Sequence, residues 1–256
     1  MKVALFQFES EWLEPKKNLD KLGEWLGRLE SDVDIVVLPE LFTTGFCVDR
    51  LDLAEPLDGA TVSILRQYAQ RYDIALVGSF LAVEGGKYYN EAFFVTPEYT
   101  FFEPKRHLFA RGGEKQYFTS GDSRMIIEYM GVKFCVLVCY DLRFPVWSRN
   151  TSGYDYDVLI YVAAWPQERI RWWDNLLMAR SIENQCIVCG VNAVGVDGNG
   201  LHYPGHSTII DTRLQHLVEF SDDEEGIRVA ELDIAALRHF REKCPMYLEA
   251  DKFRFE

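Results

Sequence analysis

The chain has 256 residues, of which 48% are hydrophobic, 14% aromatic and 26% charged; this is the composition of a folded globule and excludes a disordered, collagen-like or coiled-coil chain. Lys and Arg number 27 against 40 Asp and Glu, a net charge of −13, so the summed field repels phosphate backbones and anionic lipid heads and argues against nucleic-acid or membrane-surface binding. Any cation that meets an anionic substrate must therefore be placed locally.

In chain order, Val3 to Phe8 reads as a strand, and Leu19, Leu22, Leu26 and Leu29 recur at helical spacing before the apolar run from Asp34 to Pro39, a β-α-β start. A helix is expected around Thr61 to Tyr72, then strands at Ile74 to Leu81, Tyr88 to Val95, Met125 to Tyr129, Lys133 to Val138 and Val158 to Ala163. A helix around Glu168 to Gln185 carries Ile170, Trp173 and Leu177 on one face, and strands follow at Cys186 to Ala193, Ser207 to Ile210 and Ile227 to Leu232. Hairpin signals at Glu84-Gly85-Gly86 and Asp197-Gly198-Asn199-Gly200 mix antiparallel pairs into the α/β pattern, so a mixed sheet or two packed sheets flanked by helices is expected. No linker, repeat or low-complexity stretch divides the sequence, which is read as a single domain over 1–256.

No apolar run approaches the roughly 18 residues of a membrane-spanning helix. The start MKVALFQFESEW is too short in apolar residues for a signal peptide, so the chain is expected in the cytoplasm. Its six cysteines are too sparse for a disulfide scaffold and are read as free thiols.

Three segments deliver a reactive side chain at or beyond an apolar run: VVLPE ends at Glu40, EPKRHLF holds Lys105 and FCVLVCYDLRFP holds Cys139. Taken singly, each has a bland reading that outweighs the chemical one: a surface carboxylate, a solvated lysine and an inert core thiol. Together they supply what cleavage of an unactivated amide needs. A thiol is mostly protonated at neutral pH, so a carboxylate must take its proton as it attacks, the role expected of Glu40. Lys105 and the backbone N–H of Tyr140 are the expected oxyanion donors, and Lys105 beside Cys139 is expected to lower the thiol pKa.

LPELF, EPKRHLF and VCYDLRFP, in that order, resemble the Glu-Lys-Cys signatures of the nitrilase, or carbon-nitrogen hydrolase, superfamily. The resemblance extends through FTTGF, GGEKQYFTSG, AAWP, ARSIENQ, VNAVGVDGNG and YPGHSTIID, and TTGF, AWP with RWWDNLLMARSIENQ and the run around Leu237 to Lys243 are similar to the omega-amidase branch, which hydrolyses 2-oxoglutaramate. This implies an α/β, four-layer αββα sandwich of two mixed sheets, assembled as a homodimer or larger homo-oligomer. It also implies that Glu114 is the second glutamate of the site, ordering Lys105 and the substrate; the bland alternative for Glu114 is a loop carboxylate in an exposed turn. The implied activity is hydrolysis of the terminal amide of a small 2-oxo acid, with other aliphatic amides, nitriles, N-carbamoyl amines or a non-catalytic scaffold as rivals.

Other motifs are set aside. Cys186-Ile-Val-Cys189 lies inside an apolar strand with no second ligand pair, Cys139-x3-Arg143 lacks a phosphatase-loop spacer, and the five His are not paired at ligand spacing, so no metal and no cofactor is expected. Asp141 and Arg143 are expected to form an internal ion pair holding the nucleophile turn. Phe46, Phe118 and Trp165 are candidate walls of the substrate pocket, and Arg111, Arg169 and Arg171 are left open as partners for a substrate carboxylate.

Overall fold

A computed structural model describes residues 1–30, 32–151 and 153–252. Fourteen strands are described: β1 (Lys2–Gln7), β2 (Ile35–Val37), β3 (Ala75–Glu84), β4 (Lys87–Val95), β5 (Thr100–Pro104), β6 (Met125–Tyr129), β7 (Val132–Val138), β8 (Val158–Ala163), β9 (Ile187–Asn192), β10 (Val194–Val196), β11 (His202–Pro204), β12 (Thr208–Ile210), β13 (His216–Glu219) and β14 (Gly226–Glu231). The α-helices are α1 (Pro15–Leu26), α2 (Ala60–Tyr72), α3 (Glu114–Tyr117), α4 (Ile170–Asn184) and α5 (Ile234–Lys243).

The strands form two six-stranded sheets, ordered β14-β1-β2-β3-β4-β5 and β13-β12-β9-β8-β7-β6, with β10-β11 as a separate hairpin. In each sheet a central parallel trio, β1-β2-β3 or β7-β8-β9, is flanked by antiparallel strands. Strand alternation explains the layering. Val3 and Leu5 of β1 face the space between the sheets, with Val37, Val77, Phe134 and Ile160. Ala4 and Phe6 face the other way, onto Leu19, Leu22 and Trp25 of α1 and Val62 and Leu65 of α2. Behind the second sheet, Ile170, Trp173 and Leu177 of α4 are buried, and they come so close that a Cβ on Gly190 of β9 would sit 2.5 Å from Leu177. The result is the expected αββα sandwich of mixed sheets. No helix among the described residues is long and apolar enough to cross a membrane.

Three of the elements absent from the sequence reading have clear physical reasons. β10 and β11 are three residues each, too short to show alternation. In α5 the buried positions are Leu237 and Arg241. The guanidinium of Arg241 donates to Gln185 O, Tyr156 O and Asp157 at 2.7–2.8 Å, so a charge stands where periodicity looks for an apolar residue.

Candidate active site

The carboxyl ends of the central strands meet at one edge of the sandwich, where open sheets expose loop backbone to ligands. Glu40 follows β2, and its N–H donates to Ala163 O at the end of β8, 3.4 Å away, which joins the two sheets. The next residue, Leu41, has φ 47°, and its N–H is held by Ser79 Oγ at 2.8 Å. Cys139 directly follows β7 with φ 44°, a left-handed conformation that costs a non-glycine residue about 1 kcal/mol or more. Lys105 follows β5, its N–H donating to Asn90 O of β4 at 2.9 Å.

These turns bring four ionisable side chains together. Lys105 Nζ donates to Glu40 Oε1 at 2.7 Å and to Glu114 at 3.0 and 2.8 Å, and all three side chains are fully buried. Glu40 Oε2 accepts the Ala164 N–H at 2.8 Å, and the Cys139 thiol, which donates to Ala164 O at 4.0 Å, lies close enough to Glu40 and Lys105 to feel both charges. Glu114 opens the one-turn helix α3 and accepts the Phe109 N–H at 2.6 Å. It is wholly buried, not a carboxylate in an exposed turn.

Sequence reasoning missed Asn90. Its side-chain NH₂ donates to Glu40 Oε1 at 2.7 Å and to Glu114 Oε1 at 3.1 Å. The one signal available was an Asn-Glu pair interrupting the apolar pattern of β4.

Burial pushes Glu40 above the usual carboxylate range; Lys105 opposes this and Glu114 adds to it. Burial pulls the Lys105 ammonium down, but Glu114 and Glu40 outweigh it and hold the group above its ordinary value. The expectation of a lowered thiol pKa is corrected. Burial raises Cys139 well above an ordinary thiol, Glu40 raises it further, and the pull of Lys105 is outweighed. The resting thiol is protonated, so the site depends on a base at the moment of attack.

The thiol opens onto a narrow cavity lined by Phe46, Phe109, Tyr140, Trp165, Leu201 and Tyr203, with Arg143 and Arg169. Phe46 and Trp165 stand where they were expected. Phe118 does not: it packs with Leu41, Leu81 and Leu108 in a small core cluster behind the site. The Asp141–Arg143 ion pair is also absent. Asp141 Oδ1 instead accepts the His107 N–H at 2.9 Å and lies 2.7 Å from His107 Nδ1, while Oδ2 accepts the Val138 N–H at 3.1 Å. It thus ties the segment carrying Lys105 to the strand carrying Cys139. Arg143 is left to the cavity, its guanidinium 4.4 Å from the Trp172 ring centre and 5.0 Å from that of Trp165. Its buried Nε has no hydrogen-bond partner. Of the three arginines considered from sequence, Arg169 lines the cavity, whereas Arg111 and Arg171 are exposed.

The model of the carbon-nitrogen hydrolase family matches residues 2–242. The chain belongs to the carbon-nitrogen hydrolase family. This hydrolase is 40% identical to Omega-amidase YafV of Escherichia coli (strain K12) over 99% of its own length and 98% of that protein. It is 34% identical to 2-oxoglutaramate amidase of Bacillus subtilis (strain 168), over 96% of this chain and 95% of that one. Among solved structures, a carbon-nitrogen hydrolase superfamily protein of Xanthomonas campestris with an arsenic adduct in its active site superimposes with TM-score 0.97 at 38% identity, covering 100% of this chain and 99% of that one. The six cysteines of this hydrolase are free, and Cys186 and Cys189 are buried thiols.

Proposed function

We propose that this carbon-nitrogen hydrolase cleaves the terminal amide of a small 2-oxo acid, such as 2-oxoglutaramate or 2-oxosuccinamate, to the dicarboxylate and ammonia through a thioester on Cys139. The observation that carries the reading is one buried cluster in which an ammonium lies between two carboxylates, with a thiol beside them. Glu40 takes the thiol proton as sulfur attacks the amide carbon. The oxyanion forms beside Lys105 and the Tyr140 N–H, an amide in the first turn of a short helical segment, where N–H groups lack an intrahelical acceptor. Protonated Glu40 then passes its proton to the departing nitrogen, the C–N bond breaks and ammonia leaves. A water that loses its proton to Glu40 adds to the thioester, and the C–S bond breaks to give the acid and the thiol. Glu114 fixes the ammonium of Lys105 in this role.

The acid character of the substrate is supported by the two cavity arginines. Neither forms an ion pair with a carboxylate among the described residues, and burial together with Arg169 pulls the Arg143 guanidinium below its ordinary value. Two neighbouring cations without a counter-charge, in a chain of net charge −13, are a receptor for a carboxylate. The names of the two relatives, an omega-amidase and a 2-oxoglutaramate amidase, agree with that chemistry. Assembly as a homodimer or larger homo-oligomer belongs to the same reading and is measured by light scattering on the purified chain.

The test is ammonia release from 2-oxoglutaramate, glutamine, an aliphatic nitrile and an N-carbamoyl amino acid, measured side by side with the Cys139→Ala variant. The reading expects the oxo-acid amide to lead by orders of magnitude and the variant to be inactive. A variant that still releases ammonia overturns the mechanism; a nitrile or carbamoyl compound that leads overturns the substrate.

A further inference from the structure

We propose that Asn90 is a positioning residue of this site, its amide holding Glu40 and Glu114 as a pair and keeping Glu40 in the proton-accepting form that the thiol requires. The inference rests on the reading of Glu40 as base and Cys139 as nucleophile. The Asn90 nitrogen carries two N–H groups, and two carboxylate oxygens lie within reach, Glu40 Oε1 at 2.7 Å and Glu114 Oε1 at 3.1 Å. The same two oxygens accept from Lys105 at 2.7 and 3.0 Å. Two donors and two acceptors thus alternate around one point, and only one of the donors is charged.

The orientation of the amide follows from its neighbours. Asn90 Oδ1 is buried with no hydrogen-bond partner, which is destabilising. Turning the amide over would set that oxygen against two carboxylates and lose both donors. The unmade bond is thus kept at a site where geometry matters more than stability. Position is set by the β4–β5 ladder, in which Glu91 pairs with Pro104 and Asn90 O takes the N–H of Lys105. Both donors therefore face each other across the ladder, one rung beyond that pair.

A neutral donor is what the charge balance calls for. The groups that face Glu40 are Lys105, Glu114, Cys139, the Ala164 N–H and, at longer range, Tyr203. With one ammonium for two carboxylates, burial already favours a protonated Glu40. A hydrogen bond to the ionised form opposes this without adding charge. A second lysine there would leave Glu40 a weaker base, and an aspartate would add a third carboxylate.

The experiment is the pH profile of kcat/KM for 2-oxoglutaramate in Asn90→Ser and the near-isosteric Asn90→Asp, with folding checked by circular dichroism and thermal melting. The serine hydroxyl ends a bond short of the Asn90 amide and an ionised aspartate has no donor, so both variants lose the bond that lowers the proton affinity of Glu40, and the acid limb is expected to move up by about one pH unit in the serine variant and further in the aspartate variant. A residue that merely fills space would lower the plateau or the melting temperature and leave the limb where it was. An unmoved limb in a folded variant overturns the proposal, as does failure of both variants to fold, which would assign Asn90 to the core. Failure of the underlying reading shows separately, as ammonia release by Cys139→Ala.

Discussion

Replacing Arg143 with methionine is expected to remove recognition of the substrate carboxylate while leaving the thiol chemistry in place. Methionine keeps an unbranched apolar stem against Tyr140, Trp165 and Trp172, the rings that now surround the guanidinium at 5.7, 5.0 and 4.4 Å, and deletes only the charge and its donors. A hydrogen-bonded charge pair in a partly desolvated site contributes about 2–3 kcal/mol, which is roughly 30- to 150-fold in kcat/KM. The upper part of that range applies if the substrate meets the buried Nε, which has no partner within the protein. The assay is coupled ammonia release, run on 2-oxoglutaramate and on an uncharged aliphatic amide of matched length. The ratio of the two kcat/KM values is expected to fall by the stated factor, mainly through KM, because the carboxylate is held equally in ground and transition states. Because the resting arginine faces Arg169 without a counter-charge, the variant is expected to melt no lower than wild type. Equal loss on both amides would refute the carboxylate receptor and make Arg143 a structural support of the cavity. No loss on either would remove it from recognition altogether.

Asp141→Ala is expected to lower the melting temperature and kcat together. It removes three contacts, to the His107 N–H, the His107 ring and the Val138 N–H, a loss of about 2–4 kcal/mol, and it unties the Lys105 segment from the Cys139 turn. Asp141→Asn, which keeps one acceptor, is expected to retain more of both; equal damage in the two variants would argue against the tie. Glu91, buried in β4, is pushed up to about 8 by burial, with Glu103 and Glu84 adding to it, against 4.5 for an ordinary glutamate. The folded state therefore holds a proton that the unfolded chain has released between about pH 4.5 and 8, and stability falls as pH rises through that window. Glu91→Gln is expected to flatten this slope, so thermal melts of the two proteins diverge steadily from pH 5 to pH 8; parallel curves would show that Glu91 titrates normally.

Much of the site was legible because strand grammar places it: Glu40, Lys105 and Cys139 each stand just beyond a strand, and the structure gathers them, Lys105 bonded to Glu40 and the thiol beside both. The helices α2 and α4 and the central strands were equally legible from apolar periodicity. What sequence could not supply is direction. Asp141 and Arg143 are two apart and opposite in charge, an apparent pair, yet the turn after β7 points Asp141 back to its own strand and to His107 and leaves Arg143 over the cavity aromatics. Phe118 follows the helix that bears Glu114, yet its ring turns inward to Leu41 and Leu81. Asn90 was hidden because its work is done through two partners remote in sequence, 50 and 24 residues away. Arg241 hid α5 for the related reason that hydrogen bonds, not apolar contact, bury it.

Glu40→Gln separates the reactivity of the thiol from catalysis. On top of burial, the charge of Glu40 holds the Cys139 proton on, and Lys105 pulls the other way. A neutral glutamine removes the charge and leaves Lys105 in place, so the thiol is expected to ionise at lower pH than in wild type. Alkylation of Cys139 by iodoacetamide at neutral pH, followed by mass spectrometry against the buried Cys135 and Cys189, should therefore become faster. Ammonia release should instead fall at least 100-fold, because glutamine can neither carry the proton to the departing nitrogen nor take one from water. A nucleophile that becomes more reactive while the enzyme stops working would assign Glu40 to carrying protons through the reaction, the attacking thiol's included, and not to holding a resting thiolate. Alkylation and turnover that fall together would show that the ionised sulfur depends on Glu40 and that Lys105 alone cannot stabilise it.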